Sequence, residues 1–260
     1  MTRRFSWSRV VLAALGACLV LFIVGPLLRL LLVASPASLS TALADPDLRA
    51  SIALTVVTAT AATAVATFLG VPLAYLLARR DFPGRRAVQG LIELPVVVPH
   101  PVAGIALLLF LGRRSALGGA FAQIGIEFVS HVPGIVAAML FVSAPLLVSG
   151  AQEAFRSVDP KLERVARSLG DTPARAFRRV TLPLAARGIL AGAILAWARS
   201  ASEFGAIVIL TYNPKVASTF IFDTFTALGL EAAAPAAVVL LLIALGIFLL
   251  IRLVQPMERA

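Results

Sequence analysis

The chain has a single cysteine, Cys18, in 260 residues, so no disulfide forms within it and no thiolate cluster holds a metal. Histidine is nearly as scarce, with His100 and His131 alone. No set of His, Cys and carboxylate residues gathers as a metal site requires, and no pair reads as a catalytic dyad. The two lysines, Lys161 and Lys215, belong to no Gly-x-x-x-x-Gly-Lys-Ser/Thr pattern, which excludes a P-loop nucleotide site. Asn213 precedes Pro214 and so is no glycosylation acceptor. The halves show no internal repeat. Charged residues make up 14% of the chain, too few for an ordinary soluble domain.

Apolar residues are abundant instead, at 60%, with a mean hydropathy of +0.96, and this points to a membrane protein. The net charge of +10 does not indicate nucleic acid, because the arginines sit in short runs between long apolar segments. Six segments approach or exceed the roughly 20 helical residues that a hydrocarbon core requires: 10–34, 53–78, 91–111, 133–150, 184–210 and 232–254. The first lacks a small-residue cleavage site and exceeds a signal-peptide core, so it is expected to remain as a span. With the N-terminus taken as cytoplasmic, 17 of the 23 lysines and arginines fall on the cytoplasmic side. They are Arg3, Arg4 and Arg9; Arg79, Arg80, Arg85 and Arg86; the eight bases from Arg156 to Arg187; and Arg252 and Arg259. The excess of positive charge on cytoplasmic loops therefore predicts both termini inside. The run from Arg79 to Arg86 reads as a topogenic anchor.

The polar run 163–183 interrupts the apolar pattern and, with Arg187 just beyond, carries six arginines. Residues 157–169 read as a helix with Pro160 in its first turn. Gly170 sits where a helix ends in a left-handed residue. Asp171 or Thr172 then caps a second short helix that begins at Pro173 and ends at Leu182-Pro183. A helix, a glycine turn and a helix make a rigid knob, or in the plainer reading a solvated amphipathic hairpin. The run resembles the cytoplasmic coupling loop of ABC importer permeases, with Glu163, Val165-Ala166 and Gly170, then nine residues, then Val180, Thr181, Leu182 and Pro183. Val165 replaces an alanine usual in that pattern. The resemblance implies that Glu163, Val165, Ala166, Gly170, Val180, Leu182 and Pro183, within a loop at 152–183, dock on a separate ATPase.

The third segment contains Pro95, Pro99, His100 and Pro101. Its prolines forbid a continuous helix, and broken backbone at membrane depth is tolerated only inside protein or beside a water-filled cavity. It is thus a candidate wall or gate of the translocation path, or otherwise a packing kink. His100 is a candidate anion contact, although a lone histidine between prolines is more commonly packed or backbone-bonded. In the fifth segment, Gly188, Gly192, Ala196 and Ser200 form a small-residue stripe suited to a neighbouring helix or a second copy. Arg199 and Glu203, four residues apart on the same predicted helix, are placed to pair. They form either a polar element of the pore or a structural lock. Gly25-Pro26 predicts a kink in the first span, and 35–49, 112–132 and 211–231 read as loops outside the membrane. The sixth segment reads as lipid-facing.

Leu94–Ile105, Pro133–Val142, Ser202–Ile207 and Gly229–Leu240 narrow the resemblance to the molybdate and tungstate importers, notably the archaeal type. Glu203-Phe204-Gly205 is shared with sulfate and thiosulfate permeases, which stand as the alternative. The resemblance implies an all-α, six-span type I (MetI-like) transmembrane domain over 1–260, in a homodimer with its path at the interface. It implies two ATPase subunits holding ATP and Mg below, and an extracytoplasmic oxyanion-binding protein above. It implies no cofactor on this chain, no catalysis by it and no nucleic acid. Pro95, Pro99, His100, Pro101, Arg199, Glu203, Phe204 and Gly205 are the pore candidates. An ion-gradient transporter would carry more intramembrane charges and internal repeats. A passive membrane anchor would need neither the broken segment nor the knob.

Overall fold

The computed structural model describes residues 7–254, and every regular element among them is helical. Arg3, Arg4 and Arg259, used above to set orientation, lie outside the described residues, as do both chain ends. The chain forms two compact units: Ala50–Phe220, and a second made from the segments before and after it.

In the second unit, α1 (Trp7–Val33) runs through Gly25-Pro26 as one helix. From Val10 to Arg29 its residues are exposed on every side, the pattern of a helix whose natural solvent is lipid. The predicted loop 35–49 instead contains α2 (Pro36–Ala44). Ser35 accepts from the Ser38 N–H, and Pro36 occupies the first turn, where its missing donor costs nothing. Asp45 likewise accepts from the Asp47 N–H, so α3 (Pro46–Arg79) starts seven residues before the predicted span. At the other end of the chain, α12 (Ala217–Leu228) occupies a stretch expected to be loop. The last helix is α13 (Leu230–Val254). It is not lipid-facing throughout: Ala233, Ala234, Ala236, Val238 and Val239 are buried, while Leu242, Leu245 and Leu249 are exposed.

The larger unit is built around α7 (Val132–Ser157), which extends past the predicted 150 and buries a run from Gly134 to Phe155. Pro145 is accommodated within it. The third segment is broken, as its prolines require. α4 (Arg85–Val97) and α5 (His100–Leu111) meet at 116° across Val98-Pro99. A short helix, α6 (Ala116–Gln123), follows in the next connection. Five helices among the described residues are long and apolar enough to cross a membrane, or six if the bent pair counts as one crossing.

After α7 come α8 (Pro160–Ser168) and α9 (Pro173–Ala176). The chain does not stop at Leu182-Pro183 as predicted. A π turn over Phe177–Thr181 leads straight into α10 (Leu182–Ala201). The Leu182 N–H reaches back five residues to the Phe177 carbonyl. The wider turn relieves the crowding that a proline ring imposes on the preceding turn of an α-helix. The fifth segment is likewise not one helix to 210: α10 ends at Ala201, and α11 (Gly205–Leu210) begins after a three-residue break.

The small-residue stripe of α10 is used within the chain, against α7. A Cβ on Gly150 would lie 2.9 Å from the Gly192 Cα, and one on Gly188 would lie 2.5 Å from the Ala154 Cβ. Backbones in such contact have no side chain to move aside. Gly150→Leu is therefore expected to separate α7 from α10 at a cost of about 3 kcal/mol. Thermal unfolding in detergent is the check, and an unchanged transition would show that the crossing is loose.

Candidate functional site

Two polar constellations lie in the larger unit. The first is the knob, which folds largely by local rules. Asp159 caps α8 by accepting from the Lys161 N–H at 2.8 Å. At the far end Gly170 takes φ +97°, a region that glycine enters without strain. The Gly170 N–H then bonds the Arg167 carbonyl and the Asp171 N–H bonds that of Ala166, each at 3.1 Å, which closes the helix by the Schellman pattern. Thr172, rather than Asp171, caps α9 by accepting from the Arg175 N–H. Asp171 pairs with Arg175 and Arg179 at 3.6 and 3.5 Å.

The predicted docking residues divide by orientation. Val165, Gly170 and Pro183 are exposed, whereas Ala166, Val180 and Leu182 are half-buried. Leu162 and Leu169, which the motif did not single out, join Val165 on the open surface, with Leu169 83% exposed. Their spacing from Leu162 (three and seven residues) places all three on one helical face, a signal present in the sequence. The pattern's acidic residue points inward. Glu163 accepts from the Tyr75 hydroxyl (3.1 Å, Oε2) and the Thr181 hydroxyl (2.7 Å, Oε1). Its Oε1 also lies 3.1 Å from the Arg79 Nε, an ion pair whose angle falls short of a hydrogen bond. Arg79 is thus more than a topogenic anchor: its side chain is 9% exposed, and its Nη2 donates to the Val158 carbonyl at 2.7 Å. Arg85 bonds Asp81 at the start of α4.

The second constellation joins the bend of the third segment to the break in the fifth. Glu203 lies just beyond α10, fully buried, and its Oε1 accepts from the Ala206 N–H at 2.8 Å, which caps α11. Its Oε2 accepts from the Arg199 Nη2 at 2.8 Å. The same Nη2 lies 2.6 Å from the His100 Nε2, and the His100 Nδ1 lies 3.6 Å from Oε2. A guanidinium only donates, so in this contact the His100 nitrogen is the acceptor. His100 is therefore bonded by the Arg199 side chain and lies within ion-pair distance of Glu203. Gly205 permits the approach, since a Cβ there would lie 2.7 Å from that of His100.

Pro99 caps α5 and Pro101 lies in its first turn, beside this cluster. Pro95 lies inside α4, across the bend, and Phe204 occupies the cap of α11. Arg199 and Glu203 thus make an ion pair of no net charge, beside which the His100 side chain is 43% exposed. It offers an anion hydrogen-bond donors without a free positive charge.

Residues 70–260 match the family described as the binding-protein-dependent transport system inner membrane component. A molybdate/tungstate transport system permease protein of Pyrococcus furiosus is 44% identical over 92% of this chain and 92% of its own length. A protein of the same description from Thermococcus kodakarensis is 41% identical over 96% of each. A bacterial alginate ABC transporter, solved in complex with an alginate-bound periplasmic protein, superposes with a TM-score of 0.73 at 19% identity. The superposition covers 93% of this chain and 92% of that one.

Proposed function

This chain belongs to the inner-membrane components of binding-protein-dependent transport systems, as the permease subunit of an ABC importer, and we propose that it carries a tetrahedral oxyanion, molybdate or tungstate. The substrate rests on the description shared by the two archaeal relatives. The coupling role rests on the knob, whose exposed leucines and valine face away from the chain that builds it.

In this reading the knob sits in the cytoplasm, with both termini on that side, and docks into an ATPase that supplies the nucleotide site and its Mg. Two copies of the chain enclose the path, and each engages one ATPase. An extracytoplasmic binding protein delivers the anion from the other side. ATP-driven closure of the ATPases moves the knobs, opens the path outward and admits the anion, and hydrolysis resets it. The His100–Arg199–Glu203 group lines the path as a neutral donor surface. Because Glu203 balances Arg199, the anion meets hydrogen bonds without a charge deep enough to hold it.

Mild-detergent recovery of this chain from its native membrane is expected to bring down a Walker-motif ATPase in equal amount. Reconstituted with that ATPase and the binding protein, it is expected to import molybdate or tungstate only with ATP. Preferred uptake of sulfate would correct the substrate. Recovery with no ATPase would overturn the importer reading.

A further inference from the structure

We propose that Tyr75 and Arg79 are positioning residues of energy coupling, which fasten the knob to the end of α3 through Glu163, so that a displacement of the knob carries that span with it. This rests on the importer reading above.

Both oxygens of Glu163 are engaged inside the chain, by Tyr75 and Arg79 of α3 and by Thr181 of the π turn. One carboxylate thus joins α8, α3 and the entry to α10. The Arg79 guanidinium grips on both sides of the cap that starts α8, through the Val158 carbonyl before it and the Glu163 carboxylate within it. The Tyr75 ring is seated against Phe155 at 5.3 Å and Phe177 at 4.6 Å, one from the helix entering the knob and one from the turn leaving it. Arg79 and Glu163 are 9% and 18% exposed, and separating charges at such depth leaves each short of its counter-ion with little water to replace it, so the junction moves as a unit. The outward face of α8 is left to Leu162, Val165 and Leu169. Docking and transmission are thereby assigned to different faces of one helix.

The test uses the full complex in liposomes, with this chain, its ATPase and its binding protein, and reads molybdate imported per ATP hydrolysed. Arg79→Lys keeps the charge but offers one nitrogen where the planar fork reaches two acceptors. Tyr75→Phe removes one hydroxyl and keeps the ring contacts. Each is expected to leave ATPase recovery unchanged and to lower import per ATP about tenfold, the factor that loss of a hydrogen bond to a charged group supports. Combined with Glu163→Gln, Tyr75→Phe is expected to do no further damage, because both act through one carboxylate. Import per ATP equal to that of the unmutated complex overturns the proposal. So does a loss that tracks only the amount of complex recovered, which marks a structural role. If Arg79→Lys fails to insert, Tyr75→Phe decides alone. Absence of ATP-dependent import by the unmutated complex sinks the importer reading itself.

Discussion

Glu203→Gln is expected to lower oxyanion import by at least about tenfold while leaving the ATPase bound. Glutamine keeps the shape and can still accept from the Ala206 N–H, so α11 stays capped. What it removes is the negative charge 2.8 Å from the Arg199 guanidinium. Arg199 then becomes a cation without a counter-ion, inside a cluster of which Glu203 is wholly buried. A passing dianion meets a site that binds it, and each 1.4 kcal/mol of added affinity slows release tenfold. At an effective dielectric near 20, two unit charges about 4 Å apart interact by about 4 kcal/mol, so a trap of that order is available.

Glu203→Ala should behave differently. It uncaps α11 as well as stranding Arg199, and breaking a buried pair in this way costs about 3–5 kcal/mol of stability. The double variant Arg199→Met with Glu203→Gln removes both charges and is expected to recover most of the stability without restoring import. Thermal unfolding and uptake by the three variants separate the roles. If Glu203→Gln imports at the original rate, the cluster is a structural lock outside the path.

The sequence made the knob legible because its determinants are local. Asp159, Pro160, Gly170, Thr172 and Pro173 act within a few residues of themselves, through caps and a left-handed turn. The break in the third segment was legible for the same reason, since proline carries its constraint wherever it stands. The break at 202–204 was hidden: no proline marks it, and the apolar residues on either side read as one helix. It is made by a glutamate that caps the following helix three residues on and by a glycine that lets α5 approach, and the second depends on tertiary contact. The junction at Glu163 was hidden more deeply. Tyr75 and Arg79 share one face of α3 at a spacing of four, but their partner lies 88 residues from Tyr75 along the chain. A motif identified Glu163 as important, yet not that it faces inward. The helices at 36–44 and 217–228 lie in connections between spans, where no long apolar run announces them, although Ser35-Pro36 is a helix-start signal in its own right.

Gly170→Pro is expected to abolish ATPase recovery while the chain still inserts in the membrane. Proline fixes φ near −65°, whereas the native value is +97°, so the turn cannot form as it stands. Proline also lacks the N–H that bonds the Arg167 carbonyl, and half of the closing motif of α8 goes with it. α9 is then aimed elsewhere and Leu169 is withdrawn from the face it shares with Leu162 and Val165. The spans contain none of these bonds, so insertion is spared. Gly170→Asn is the milder companion, because asparagine tolerates the left-handed region, and it should retain much of the binding. Leu169→Asp isolates the surface from the backbone. Its side chain is 83% exposed, so the substitution costs the free chain little, within about 0.5 kcal/mol. In a docked complex the same leucine is worth about 1.5–3 kcal/mol if fully covered, which predicts a roughly 10- to 100-fold loss of ATPase affinity. Normal ATPase recovery with both Gly170→Pro and Leu169→Asp would move the docking surface off the knob altogether. Loss with Gly170→Pro but not with Leu169→Asp would keep the knob and shift its contact toward the arginines of α9 and the π turn, where salt would then weaken the complex.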